Sequence, residues 1–331
     1  MNSKKAVLIL GLVVVVGISW WFTRLKLDAS SQENAGNEEQ LQENRERMAT
    51  WYQAPREPIA GKAAVGTPEC IEFWNKVRAL DLNRQQEEFP DISGLQSLQP
   101  CKEVPAPLKN LNDHYQKVCH AQKDSNQCLV ALYYYRAALT DYMTRDVALS
   151  SIQDPKVLID KMLANREVDP ALSVKAAERL SELEPQLYEA RKAQVLGRLF
   201  MATQQKAGSA DSLWREVEIT IEKAKQLNES DPELLEAQML AALLKGTDAR
   251  GAEELAKEIA EDYPQEWRGP YYAAWALFKE GRGQEALDFL SEAQRRDPQN
   301  VRIREALEGI KKGDAAPFKG DISFSDLSQY F

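Results

Sequence analysis

The sequence predicts an all-α protein: an N-terminal transmembrane helix, a helical domain, then an α-solenoid of about three to four helical hairpins. Three observations predict it. An uncharged, largely apolar run fills Ala6–Thr23, close to the minimum length for a spanning helix. Apolar residues then recur at helical spacing, as in Ile71, Trp74 and Val77 or Leu108, Leu111 and Tyr115. In the C-terminal half, Pro232, Pro264 and Pro298 fall 32 and 34 residues apart, the period of stacked helical hairpins.

Composition narrows the function. The chain has 331 residues, 42 basic and 51 acidic, for a net charge of −9. That balance argues against nucleic acid as the main partner, because phosphate binding needs clustered cations. Apolar residues at 44% supply enough material for a core. Ordinary glycine and proline levels exclude collagen-like and wholly disordered classes.

Residues 1–27 read as a signal anchor. Lys4 and Lys5 precede the apolar run, Trp20 and Trp21 close it, and Arg24 and Lys26 follow. Paired tryptophans suit the headgroup boundary. Cleavage needs small residues at −3 and −1. The best candidate ends at Ala29 and has Leu27 at −3. An uncleaved single-pass anchor in a bacterial inner membrane is therefore expected, with a cytoplasmic N-terminus and the body in the periplasm. Residues 28–68 read as a polar tether, with a short helix over about 38–51 and an irregular Ala54–Pro68 stretch.

Residues 69–150 read as a cysteine-containing helical domain. Helices are expected over Glu69–Leu82, Leu108–Cys119 and Cys128–Leu149, with a turn at His120–Gln127. Tyr133, Tyr134 and Tyr135 are adjacent, so they point in different directions on a helix and read as core. The four cysteines are Cys70, Cys101, Cys119 and Cys128. An even number in an oxidising compartment suggests two disulfides. Of three connectivities, Cys119–Cys128 with Cys70–Cys101 is favoured, because the first would staple a short turn. The alternatives are a zinc site with His114 or His120, and four free thiols. No C-x-x-C spacing supports zinc, and no metal or other cofactor is expected.

Residues 151–313 carry the solenoid pattern. Asp154-Pro155 and Asp169-Pro170 each read as an N-cap followed by proline at the first helical position, and Glu184-Pro185, Asp231-Pro232, Tyr263-Pro264 and Asp297-Pro298 continue the punctuation. In Trp267–Asn300, Ala273-Ala274 and Leu277 precede a Gly281-Arg282-Gly283 turn, and Ala286, Leu290 and Ala293 precede Asp297-Pro298. This unit resembles the tetratricopeptide repeat family. Pro270 replaces the large residue usual at that position, so the first helix is expected to begin late. Ala252, Ala256 and Ile259 carry the preceding unit, and Ala193, Leu196-Gly197 and Phe200 the one before. Val301–Lys312 reads as a solvating cap.

The resemblance implies a concave groove lined by the first helix of each repeat. Matching positions are Arg191, Gln194 and Arg198 in one hairpin, and Leu234, Ala237 and Ala241 in the next. In the last hairpin they are Arg268, Tyr271, Trp275 and Lys279. Aromatic anchors flanked by cations suit a peptide segment with apolar and some acidic residues. The tail, 314–331, holds Phe318, Ile322, Phe324, Leu327, Tyr330 and Phe331. It reads either as packing back on the last helices or groove, or as a ligand for another protein.

No phosphate-binding glycine loop, H-E-x-x-H or G-x-S-x-G occurs. The expected function is a membrane-anchored scaffold or adaptor in envelope assembly or secretion. A periplasmic chaperone holding exported or unfolded chains is the alternative. A thiol-dependent or hydrolytic enzyme using the cysteine region is a third, disfavoured reading.

Overall fold

The structure, a computed structural model, describes residues 39–59, 68–80, 82, 106–121, 126–205, 211–245, 249–319 and 327. The chain divides into two compact units, Met1–Arg47 and Met48–Phe331. The described part of the first unit, 39–47, is helical. Its Gln42 amide donates to Glu46 one turn on, a pairing that suits an exposed helix face.

The protein is all-α, and no strand occurs among the described residues. Helix α1 (39–53) continues into the second unit. It is followed by α2 (Pro68–Arg78), α3 (Ala106–Ala121) and α4 (Asn126–Met143). A 3-10 turn at Leu149–Ser151 leads into α5 (Pro155–Asn165) and α6 (Pro170–Leu183). Then come α7 (Tyr188–Gln204), α8 (Asp211–Lys225), α9 (Pro232–Lys245) and α10 (Ala249–Asp262). The last are α11 (Arg268–Lys279), α12 (Gly283–Arg296) and α13 (Val301–Lys312). The expected membrane segment, 1–27, lies outside the described residues. Among those described, no helix is long and apolar enough to cross a membrane.

Local chemistry sets the helix starts. The Asp154 carboxylate accepts from the Lys156 N–H, with Pro155 in the first turn. Asp169 accepts from the Leu172 N–H, and Asp231 from the Glu233 N–H at 2.7 Å. Asn300 accepts from the Arg302 and Ile303 N–H groups. Each such cap contributes about 1 kcal/mol. Helix α11 begins at Arg268 with Pro270 inside its first turn, so it does not begin late. First-turn N–H groups have no intrahelical partner, and a proline there forfeits nothing.

From α5 onward the fold is solenoid-like. Each helix packs on the next, and α7, α9 and α11 also touch in turn. Ala273, Ala274, Ala286 and Ala293 are fully buried and permit close helix approach, while Leu277 and Leu290 fill the space between. Helix backbones approach closely at Gly269, where a Cβ would lie 2.7 Å from the Ala260 backbone nitrogen. Ions also join successive hairpins. Lys192 on α7 pairs with Asp231 and Glu233 at the start of α9, at 3.0 and 2.6 Å.

The first helical region shares one core with the start of the solenoid, built from Trp74, Val77, Leu132, Tyr133 and Leu139 together with Leu158, Ile159, Leu180 and Leu187. Met48 and Tyr52 join it. Part of the segment expected as a solvated tether is thus packed inside. The physical reason is Arg56, which is buried and makes a bidentate pair with Asp160 at 2.9 and 2.8 Å. Cys119 and Cys128 form a disulfide across the α3–α4 turn. The expected Cys70–Cys101 pair rests on Cys101, which lies outside the described residues.

Candidate partner-docking site

Two places concentrate chemistry. The first is the buried charge cluster of the first helical region. Arg56, Arg78, Arg136 and Asp160 are each essentially inaccessible. Burial alone would raise the Asp160 carboxyl. The charge and hydrogen bonds of Arg56 outweigh it and hold the group below its ordinary value. Tyr133 also donates its hydroxyl to Asp160, at 3.2 Å.

Most of the other guanidinium contacts go to chain carbonyls, while the Arg136 Nε is buried without a partner among the described residues. Arg56 Nη1 donates to Trp51 and Ala54 at 2.7 and 2.6 Å. Arg136 donates to Leu80 at 2.9 Å and to Tyr52. Arg78 donates to Glu57 at 2.7 Å and to the Thr140 hydroxyl at 3.1 Å. Several of these carbonyls close the ends of α1 and α2, where intrahelical partners run out. Burial pushes the Arg136 guanidinium down to about 9, which leaves it protonated at neutral pH. The four residues keep at most 1% of their surface exposed, so their contacts are with the chain itself. The cluster is an internal clamp.

The second place is the face of α11. Tyr271, Trp275 and Phe278 follow one another at helical spacing and share that face. Phe318, from the tail, is buried against all three. Its ring lies 5.9 Å from Trp275 and nearly parallel, at 5°. It meets Tyr271 edge-on at 5.5 Å and Phe278 at 5.7 Å. The Tyr271 hydroxyl donates to the Lys319 carbonyl at 3.0 Å and accepts from the Lys319 N–H at 3.3 Å. The Lys319 ammonium pairs with Glu305 on α13 at 3.2 Å. Pro317 sits over Gly309 of α13, where a Cβ would come within 2.7 Å of the proline ring.

Of the groove residues expected from sequence, Tyr271 and Trp275 come together in this seat, each almost wholly buried. The others are held elsewhere. Arg268 pairs with Glu236 at 3.0 Å and Glu266 at 2.7 Å. Glu236 is itself buried and also binds Tyr272 and Arg302, at 2.7 and 2.6 Å. The Lys279 ammonium donates to the Leu243 carbonyl at 2.7 Å, capping the end of α9. Gln194 is buried and donates to Ala177 and Ser181, at 3.1 and 2.7 Å. Arg198 pairs with Glu178 and donates to Thr220 at 2.9 Å. Arg191 is half-buried on α7, while Leu234, Ala237 and Ala241 are buried in α9.

Sequence reasoning missed Phe278, Gly309 and Glu305. Phe278 was visible, since it lies three residues from Trp275 and seven from Tyr271. The other two became meaningful only once Pro317 and Lys319 were placed.

Among the described residues, no group of His, Cys, Asp or Glu is arranged to hold a metal. The disulfide removes the Cys119 and Cys128 thiols that a zinc site or thiol chemistry would use. No family model, curated protein or solved structure matches the chain.

Proposed function

We propose that the chain is a membrane-anchored adaptor of the tetratricopeptide type, which holds a segment of another protein on the last hairpin of its solenoid. The observation that carries this reading is the aromatic seat of Tyr271, Trp275 and Phe278. It accepts a phenylalanine and two backbone groups from outside the hairpin stack. Aromatic surfaces of this kind dominate protein–protein binding energy.

The cationic and apolar N-terminal sequence supports a single-pass anchor. The Cys119–Cys128 disulfide supports an oxidising compartment, the periplasm for a bacterial chain. Anchoring raises the effective concentration of the seat near the membrane, so a weak contact suffices. The proposal assigns the protein no chemical step.

In-cell photocrosslinking tests it, with benzoylphenylalanine at Phe278 and a control probe at Asp288, which is exposed on α12. One discrete adduct from 278 and none from 288 is the expected result. A smear from 278 would replace the adaptor with a chaperone that holds many chains. No intermolecular adduct from 278 would overturn both readings.

A further inference from the structure

Three consecutive tail residues each meet a surface shaped for them. Pro317 lies on Gly309, the one residue of α13 that carries no side chain. A glycine inside a helix is disfavoured relative to alanine, and here the missing side chain admits the proline ring. Phe318 fills the space above Tyr271, Trp275 and Phe278. Lys319 is read through its backbone, because one phenol hydroxyl bonds both its N–H and its C=O. Its side chain adds only an exposed ion pair with Glu305, which is worth little.

This seat therefore reads a pattern: proline, an aromatic residue, then any residue with free backbone groups, preferably a cation. The chain is extended or irregular there, since 316–319 belong to no helix. An extended segment of another chain could present the same groups.

We propose that the seat is a docking site for a Pro-aromatic-X segment of a partner protein, and that Pro317–Phe318–Lys319 is the chain's own stand-in for that segment. The inference rests on the adaptor reading and names its ligand. The tail then competes with the partner. Further along, Leu327 is buried in the core shared by the first helical region and the start of the solenoid, which keeps the competing segment near its seat. A tethered competitor acts at an effective concentration on the order of millimolar, so a partner in trans sees a strongly weakened site until the tail leaves.

The experiment uses a fluorescent peptide, Asp-Ala-Ala-Pro-Phe-Lys-Gly-Asp, titrated into the full-length, detergent-solubilised protein. Phe318→Ala vacates the seat and is expected to bind the peptide at least about tenfold more tightly than the natural chain. Replacing phenylalanine in the peptide by alanine should abolish binding. Adding Tyr271→Phe to Phe318→Ala keeps the rings and removes the hydroxyl, and should weaken binding severalfold.

Equal affinity for the natural chain and Phe318→Ala, or no affinity for either, would overturn the proposal. If Phe318→Ala does not fold, benzoylphenylalanine at 318 gives the same answer. Its internal cross-link to α11 should fall as peptide is added, and an unchanged yield contradicts the proposal. A discrete adduct from 278 in cells without peptide binding overturns this motif and leaves the adaptor intact. Peptide binding without an adduct supports the motif and removes the adaptor.

Discussion

Asp160 balances a buried cluster of guanidinium groups through its bidentate contact with Arg56. Asp160→Asn keeps the volume and removes the charge, leaving Arg56 buried without a counter-ion. Breaking such a pair costs about 3–5 kcal/mol, which a urea denaturation midpoint would report. An unchanged midpoint would show that the carbonyl contacts of Arg56 suffice alone. The sign of the pH dependence follows from the depressed carboxyl. Its contribution is fully present above the unfolded value near pH 4 and is lost as pH falls through the lower folded value. Stability should therefore decline below about pH 4 in the natural chain, and less steeply in Asp160→Asn. At this scale the sequence was legible where partners are neighbours. Asp154 and Asp169 cap helices within three residues, so their roles could be read directly. Arg56 lies in a proline-rich stretch and finds its carboxylate 104 residues away, and nothing local announces that. The seat was half legible: helical spacing puts Tyr271 and Trp275 on one face, but no spacing rule places Phe318 on top of them.

Helix contacts in the solenoid depend on what is absent from the helix surface. A Cβ on Gly269 would press on the Ala260 backbone, 2.7 Å from its nitrogen and 2.8 Å from its Cα. Backbone cannot step aside as a flexible side chain would. Gly269→Ala is thus expected to cost about 1–3 kcal/mol by forcing α11 away from α10, measured by thermal unfolding. Gly283→Ala is the control, since nothing lies within 4 Å of a Cβ there. It should be neutral or stabilise by up to about 1 kcal/mol through the lower entropy of the unfolded chain. Equal losses at both sites would contradict the close-approach argument. In the first helical region the disulfide acts across nine residues between α3 and α4. Closing so short a loop stabilises by about 2–3 kcal/mol, so Cys119→Ser with Cys128→Ser should lower the denaturation midpoint accordingly. Sequence rules located the helices well because proline and cap residues punctuate them. The late start expected for α11 failed because Pro270 was judged by family pattern rather than by its freedom in a first turn.

Along the whole molecule, the solenoid from α5 to α13 is built from contacts between neighbouring helices, so its stability should be close to a sum over hairpins and their interfaces. The tail breaks that one-dimensional pattern. Phe318 closes over the last hairpin, and Leu327 is buried in the core cluster shared by the first helical region and the start of the solenoid, with Tyr133, Leu158 and Leu187. Leu327→Ala should therefore destabilise that core by about 2–5 kcal/mol, seen as faster hydrogen exchange in α4 and α5 rather than in α12. Protection lost only in α12 would contradict this. The all-α class and the hairpin order were legible because they depend on periodicity, whereas the expected membrane segment lies outside the described residues. The return of the tail to the last helices or groove is one of two readings of the sequence and is what Phe318 does. Which tail residue seats there was not legible, because six aromatic and aliphatic residues among glycine, serine and aspartate suit many surfaces. The central claim is that the α11 face receives a segment of another protein in place of this tail. The most direct test is in-cell photocrosslinking from position 278, compared between the natural chain and Phe318→Ala. One discrete adduct of the same mass in both, stronger in Phe318→Ala, is the predicted result. No adduct in either, or an adduct that weakens when Phe318 is removed, would contradict it.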